Sequence, residues 1–250
     1  MEEETTLNYR LIGSGPPLLL IHGFGVSFQI WRELAPLLAE YFCLIAVELP
    51  GQGDSAPPLP SQSYTEAAVT AIESVRQKLG IPKWAVLAYS VGAGVAIAYT
   101  AAHPDRTSAL VLVCPPLLKG WRWWSLRSLL WMDSRRSAIG GWLLSGWRLY
   151  GLVAMIGFNG RPVALTGDWV EEIGRQPWPV LKEGLREFPG REQLLTGMDD
   201  RWLLICGNRD IVSTRPPRRG AAVTHFAGDH SGPVRMAGPI AKKVIEFLVR

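Results

Sequence analysis

Apolar residues in this chain fall into short, nearly unbroken runs, separated by longer stretches in which they recur every three or four positions. Seven runs read as strands: TLNYRLI (6–12), PLLLIHG (17–23), FCLIAVEL (42–49), WAVLAYS (84–90), ALVLVCP (109–115), WLLICGN (202–208) and AVTHFAG (222–228). Between them lie amphipathic stretches. SFQIWRELAPLLAE (27–40) opens on Ser27 as an expected N-cap, and YTEAAVTAIESVRQKLG (64–80) stops at Gly80 ahead of Pro82. PIAKKVIEFLV (239–249) places Ile240, Val244, Ile245 and Leu248 on one face. Strands alternating with helices in this way predict the α/β class, a mostly parallel central sheet flanked by helices.

The alternation breaks once. From about Leu117 to Gly197 strand signals vanish, and Trp, Arg, Gly and Leu dominate. The expected organisation is therefore a core built from 1–116 and 198–250, with 117–197 inserted as a helical cap. Within the insertion, SAIGGWLLSGWRLYGLVAMIGF (137–158) has the length of a membrane span, with Arg148 as its only charge. Spanning would put that arginine near the bilayer centre at a cost of at least ~2.5 kcal/mol. A buried or interfacial cap helix fits the glycines and the flanking α/β halves better.

Composition adds three constraints. The chain has 250 residues, 48% of them hydrophobic, enough for a sizeable core. Its net charge of +4 is concentrated: between Lys119 and Arg161 there are seven Lys or Arg against one acid, Asp133, with six tryptophans interleaved. That pattern suits a hydrophobic pocket or a peripheral contact with anionic membrane better than nucleic acid. Cys43, Cys114 and Cys206 are odd in number and lie in apolar runs without a CxxC pair, so reduced, buried thiols, a cytoplasmic location and no metal site are expected. The acidic opening MEEETTLNYR lacks the pattern of a secretory signal.

Chemistry concentrates around Ser90. It stands where the run WAVLAY gives way to the small-residue stretch VGAGVA, a strand-to-helix turn with Ala88 two residues before and Gly92 two after. Both positions must be small because backbones approach closely there, and the pattern is GxSxG with its first glycine replaced. A serine needs a base, an orienting acid and donors for the oxyanion. The turn HGFG (22–25) could aim the Phe24 N–H at the same point as the Val91 N–H, although a plain strand-end turn accounts for it equally well. Asp210 follows the run LLICGN. Of the four histidines, His22 belongs to the HGFG turn, His103 precedes Pro104 at a helix end, and His225 lies within a strand-like run. His230, in the loop FAGDHSGP, alone combines exposure with a position beyond a strand end. A dinucleotide reading of VGAGVA fails at Ile97 and at the missing ribose-binding acid, and no phosphate loop is present.

Ser90, Asp210 and His230 in that order, HGFG upstream, ELPGQGDS (48–55) after the third apolar run and HPDRTSALVLV (103–113) after the elbow helix resemble the α/β-hydrolase fold family. The resemblance covers the chain outside the cap. It implies Ser90 as nucleophile, His230 as general base and then acid, Asp210 as its orienter, and the Phe24 and Val91 amides as the oxyanion hole, with no cofactor. It further implies a serine hydrolase acting on a small hydrophobic ester, its pocket lined by cap residues such as Trp121, Trp124 and Trp142. Carbon–carbon bond hydrolysis, elimination, acyl transfer to another acceptor, and a non-catalytic binding role on the same scaffold stay open. Glu48 and Gln52 depart from the residues usual in the PGxG loop. RPPRRG (215–220) shortens the link between Asp210 and His230, and its prolines argue against a helix there.

Overall fold

The computed structural model describes residues 5–23, 25–116, 183, 187, 201–210, 212–213 and 222–249. One sheet of seven strands runs through them: β1 (Tyr9–Ile12), β2 (Pro17–Ile21), β3 (Cys43–Val47), β4 (Trp84–Tyr89), β5 (Thr107–Val113), β6 (Trp202–Gly207) and β7 (Ala222–Phe226). Their spatial order is β1-β3-β2-β4-β5-β6-β7. All neighbours are parallel except β1 and β3.

Side-chain alternation divides the core in two. Leu19, Ile21, Ile45, Val47, Val86 and Ala88 face α2 (Tyr64–Lys78) and α3 (Gly92–Ala102). Leu18, Leu20, Leu44, Ala46, Leu87 and Val113 face α1 (Ala35–Ala39) and, after the short α4 (Gly232–Arg235), α5 (Ala237–Leu248). Strands covered on both faces need apolar residues at every position, which is why β2 to β6 read as continuous runs. Each fully buried Leu or Ile contributes roughly 2 kcal/mol, so β2, β3 and β4 anchor the fold, while the edge β1 stays largely open to solvent and the edge β7 is only partly covered.

Helix boundaries follow local chemistry. α2 begins at Ser63, whose Oγ accepts from Glu66 N–H at 3.2 Å while the Glu66 carboxylate accepts from Ser63 N–H at 3.0 Å, a capping box that satisfies two orphan donors. Gly80, at φ 62°, closes it. Glu73 of α2 accepts from Arg76 at 2.6 Å and from Tyr99 of α3 at 2.9 Å, tying the two helices together. The hydrogen bonds from Arg76 lead in holding the Glu73 carboxyl down at about 2, against a smaller opposing effect of burial.

The stretch 27–40 departs from expectation. It is a 3₁₀ turn over Phe28–Trp31 followed by the five-residue α1, and Ser27 makes no cap hydrogen bond. Pro36 explains the break: it has no N–H to continue a helix from Ser27, but fits the first turn of a helix starting beside it. The last helix also begins two residues earlier than the pattern suggested, at Ala237. Cys114 and Cys206 are buried thiols; Cys43 is only partly buried, at the outer end of β3. The expected cap, apart from Glu183 and Glu187, lies outside the described residues, as does RPPRRG. No described helix is long and apolar enough to cross a membrane, and residues 137–158 were not among those described.

Candidate active site

β4 ends at Tyr89, and the next residue turns sharply. Ser90 has φ 52°, a left-handed conformation rare for a residue with a Cβ, and its N–H still bonds to Val113 O at 3.0 Å. The turn lifts the hydroxyl above the carboxyl end of the sheet. Smallness is enforced all round it. A Cβ on Gly92 would lie 2.2 Å from the His22 carbonyl oxygen, and one on Gly23 would lie 2.9 Å from Ser90 Cβ. The tight approach at Gly92 is thus to the end of the neighbouring strand β2. Ala88 is fully buried.

His230 reaches the same point from beyond β7. Its Nε2 is 2.8 Å from Ser90 Oγ and its Nδ1 is 2.9 Å from Asp210 Oδ2. The other carboxylate oxygen, Oδ1, accepts from Val212 N–H at 2.8 Å and Ser213 N–H at 3.1 Å. Burial opposes a charge on Asp210. The hydrogen bond and attraction of His230, with the two backbone donors, outweigh it and hold the carboxyl at about 2. Asp210 is therefore an anion at neutral pH, and with Nδ1–H donating to it, Nε2 presents a lone pair to the serine hydroxyl.

The connection between Asp210 and His230 is bridged by backbone pairing. Past the ends of β6 and β7, Asn208 N–H donates to Phe226 O at 3.0 Å and Arg209 N–H to Gly228 O at 2.9 Å. Gly207 permits this closeness, since a Cβ there would lie 2.6 Å from Gly228 O. A link from strand β4 adds to it: Tyr89 O–H donates to the His230 carbonyl at 2.8 Å, and the two rings pack with centroids 5.2 Å apart. Burial pushes the Tyr89 phenol well above its ordinary value, so it remains a donor. Sequence reasoning passed over Tyr89. The available signal was a tyrosine inside an otherwise apolar strand, where a buried O–H needs a partner.

Of the expected oxyanion donors, Val91 is the first residue after Ser90, and no backbone acceptor is paired with its N–H among the described residues. Phe24 lies outside them, but both flanks of its turn are fixed. Burial lowers His22 to about 4, against the smaller effect of its bond to Gly23, so the ring is neutral. Its Nδ1–H donates to Gly23 O at 2.8 Å and its Nε2 accepts from Leu49 N–H at 3.0 Å. His22 therefore braces the turn against the loop after β3. Glu48 and Gln52 brace the same loop. Glu48 accepts from Asn8 at 2.9 Å and from Asp54 N–H at 2.8 Å, while Gln52 donates to Tyr64 O–H at 2.7 Å.

His225 sits on the edge strand β7, exposed and opposite Cys206. Trp121, Trp124 and Trp142 lie outside the described residues. Glu187, from the segment expected to form the cap, is placed: its carboxylate accepts from Tyr64 N–H at 2.9 Å and Thr65 N–H at 2.8 Å, an anion on the N-terminus of α2. Among the described residues one group offers metal-ligand chemistry, Cys114, Asp210 and His230, with ligand atoms within 4.8 Å of one another. Asp210 and His230 are hydrogen-bonded to each other.

A family model described as the alpha/beta hydrolase fold matches residues 16–143, just over half of the chain. The chain belongs to the α/β hydrolase fold family. As an α/β hydrolase it is 32% identical to a pimeloyl-[acyl-carrier protein] methyl ester esterase of Pseudoalteromonas atlantica over 122 residues, 48% of this chain and 45% of that protein. It is 34% identical over 115 residues to a soluble epoxide hydrolase of Corynebacterium sp., 45% of this chain and 40% of that one. The matches thus span less than half the length of these curated relatives. Among solved structures, the enol-lactonase of Burkholderia xenovorans LB400 superposes with a TM-score of 0.80 at 18% identity, covering 98% of this chain and 97% of that one. That likeness is one of fold.

Proposed function

We propose that this α/β hydrolase is a cofactor-independent serine hydrolase that cleaves a hydrophobic carboxylic ester through an acyl-enzyme. The observation that carries the reading is the unbroken chain from Ser90 Oγ to His230 Nε2, and from His230 Nδ1 to the Asp210 carboxylate. His230 Nε2 takes the hydroxyl proton as Ser90 Oγ bonds to the ester carbonyl carbon. The carbonyl oxygen becomes an oxyanion facing the Val91 N–H and, in this reading, that of Phe24. Collapse breaks the bond to the alcohol, which leaves with the proton from His230. Water, deprotonated by His230, repeats the sequence on the acyl-serine, releasing the acid and restoring Ser90. Asp210 stabilises the imidazolium formed in each half.

Nucleophile chemistry favours an acyl substrate over the other reactions for which relatives are named. Attack by Ser90 on the tetrahedral carbon of an epoxide would leave an ether on the enzyme, which the same residues have no means to hydrolyse. An acyl-serine is itself an ester and can be turned over. The methyl ester esterase relative supports this direction. A cap pocket containing Trp121, Trp124 and Trp142, and a peripheral membrane contact through the Trp- and Arg-rich segment, remain part of the proposal.

The test is hydrolysis of nitrophenyl esters over a series of acyl chain lengths by purified wild type and Ser90→Ala. Wild type should be active and the variant lower by about a millionfold. Equal rates would remove Ser90 from the reaction, and inactivity of wild type on all chain lengths would remove the esterase reading.

A further inference from the structure

Ser90 has a counterpart on the next strand. Cys114 follows the last residue of β5 as Ser90 follows β4, and its φ of 49° makes these two the non-glycine residues in the left-handed region among the described residues. Its N–H bonds to Ile205 O at 2.8 Å, so the sheet ladder continues to this point and then turns, as at Ser90. Such a conformation is strained for a residue with a Cβ and persists only where surroundings impose it.

The turn aims the thiol into the acid–base pair. Cys114 is fully buried, and its sulfur, a carboxylate oxygen of Asp210 and a ring nitrogen of His230 lie within 4.8 Å of one another. The thiol therefore faces the Asp210 carboxylate, which stands beside the S–H as an acceptor. Burial first, and then the negative charge of Asp210, keep this thiol well above its ordinary pKa, so it is protonated. Asp210 receives hydrogen bonds from His230, Val212 and Ser213, and the Cys114 thiol stands beside them.

We propose that the Cys114 S–H donates to the Asp210 carboxylate and makes Cys114 a positioning residue for the reaction, holding that carboxylate in the orientation that serves His230 and drawing off part of its charge. The proposal rests on the assignment of Asp210 and His230 as acid and base. Other groups act on the pair from the elements packed against it: Tyr89 at the end of β4, Cys206 on β6, and Asp229 in the loop beside His230. None of them is changed in the Cys114→Ala and Cys114→Ser variants that follow.

Removing the donor has a definite sign. A carboxylate that loses the S–H keeps more of its charge for the imidazolium, so His230 should bind its proton more tightly. Cys114→Ala should lower kcat about 2- to 10-fold with little change in KM, the size of one modest hydrogen bond, and move the acidic limb of the kcat/KM profile upward by about half a pH unit. Cys114→Ser, which keeps a donor, should restore most of both. A side chain that only packs would give no shift of the limb, or the same shift in Ala and Ser, and either result overturns the proposal. A readout independent of turnover covers failure of either variant to fold. In the Cys43→Ala, Cys206→Ala double variant, the remaining S–H stretch in the infrared should lie below that of an unbonded thiol and move when Asp210→Asn is added. An unbonded frequency there overturns the proposal. Failure of the triad assignment would show separately, as wild-type protein whose Ser90 does not react with a phosphonate.

Discussion

The two halves of the site are built differently. The elbow carrying Ser90 is enclosed: β4 is buried along its whole length, α3 is buried over most of its residues, and Gly23, Ala88 and Gly92 leave no room for side chains beside it. The half carrying Asp210 and His230 lies towards the edge of the sheet, where β7 is only partly covered, and is held by individual hydrogen bonds. Packing fixes the nucleophile, whereas polar contacts fix its partners. Substitutions on the elbow side should therefore act on folding and chemistry together. Those on the histidine side should separate the two.

The largest separable effect is expected at Asp210. Asp210→Asn keeps the shape of the side chain but loses the anion that orients His230. It should reduce kcat about 10³- to 10⁴-fold in a protein that still melts cooperatively. Activity within tenfold of wild type would mean that another group orients the ring.

On the elbow side, acid should act through stability. His22 is held neutral by burial, at about 4 against an ordinary 6.5. Because the folded pKa is the lower one, the unfolded chain binds the extra proton between these values. This contribution is complete above about pH 6.5 and is lost as the pH falls to about 4, on the order of 3 kcal/mol in all. Urea unfolding between pH 7 and 4 measures it, and a midpoint unchanged across that window would remove His22 as the brace. Below pH 4, Asp210 and Glu73, both held near 2, add a second loss as they protonate.

Tyr89 joins the halves. Tyr89→Phe keeps the ring against His230 and removes the O–H, so kcat should fall by about tenfold or less with KM unchanged. A fall as large as that of Asp210→Asn would show that the carbonyl anchor, and not the carboxylate, holds the histidine. The smallest effect is expected at His225, which is exposed on β7. His225→Ala should leave the acidic limb of kcat/KM where wild type has it, and a displaced limb would move the base from His230.

Legibility in the sequence follows the same division. The sheet and the elbow could be read because continuous burial writes long apolar runs, and a close backbone approach writes small residues at fixed offsets from Ser90. Asp210 and His230 were readable only through their order along the chain and their places beyond strand ends. Unreadable were the contacts that bring them to the serine: Tyr89 and His230 are 141 residues apart, and the backbone pairing of Arg209 with Gly228 has no side-chain signature. Cys114 read as a bland buried thiol because nothing in ALVLVCP signals a left-handed strand end. The loop residues Glu48 and Gln52 looked like departures from a pattern, and prove to be braces whose partners, Asn8 and Tyr64, come from other elements.

Whether the enclosed serine is driven by its hydrogen-bonded partners can be measured directly, by intact-mass labelling of the whole protein with a serine-reactive fluorophosphonate. Wild type should gain a single adduct mapping to Ser90, Ser90→Ala should gain none, and Asp210→Asn should label at a rate lower by at least a hundredfold. An adduct that persists in Ser90→Ala, or wild-type protein that stays unlabelled, would contradict the assignment of Ser90 as an activated nucleophile.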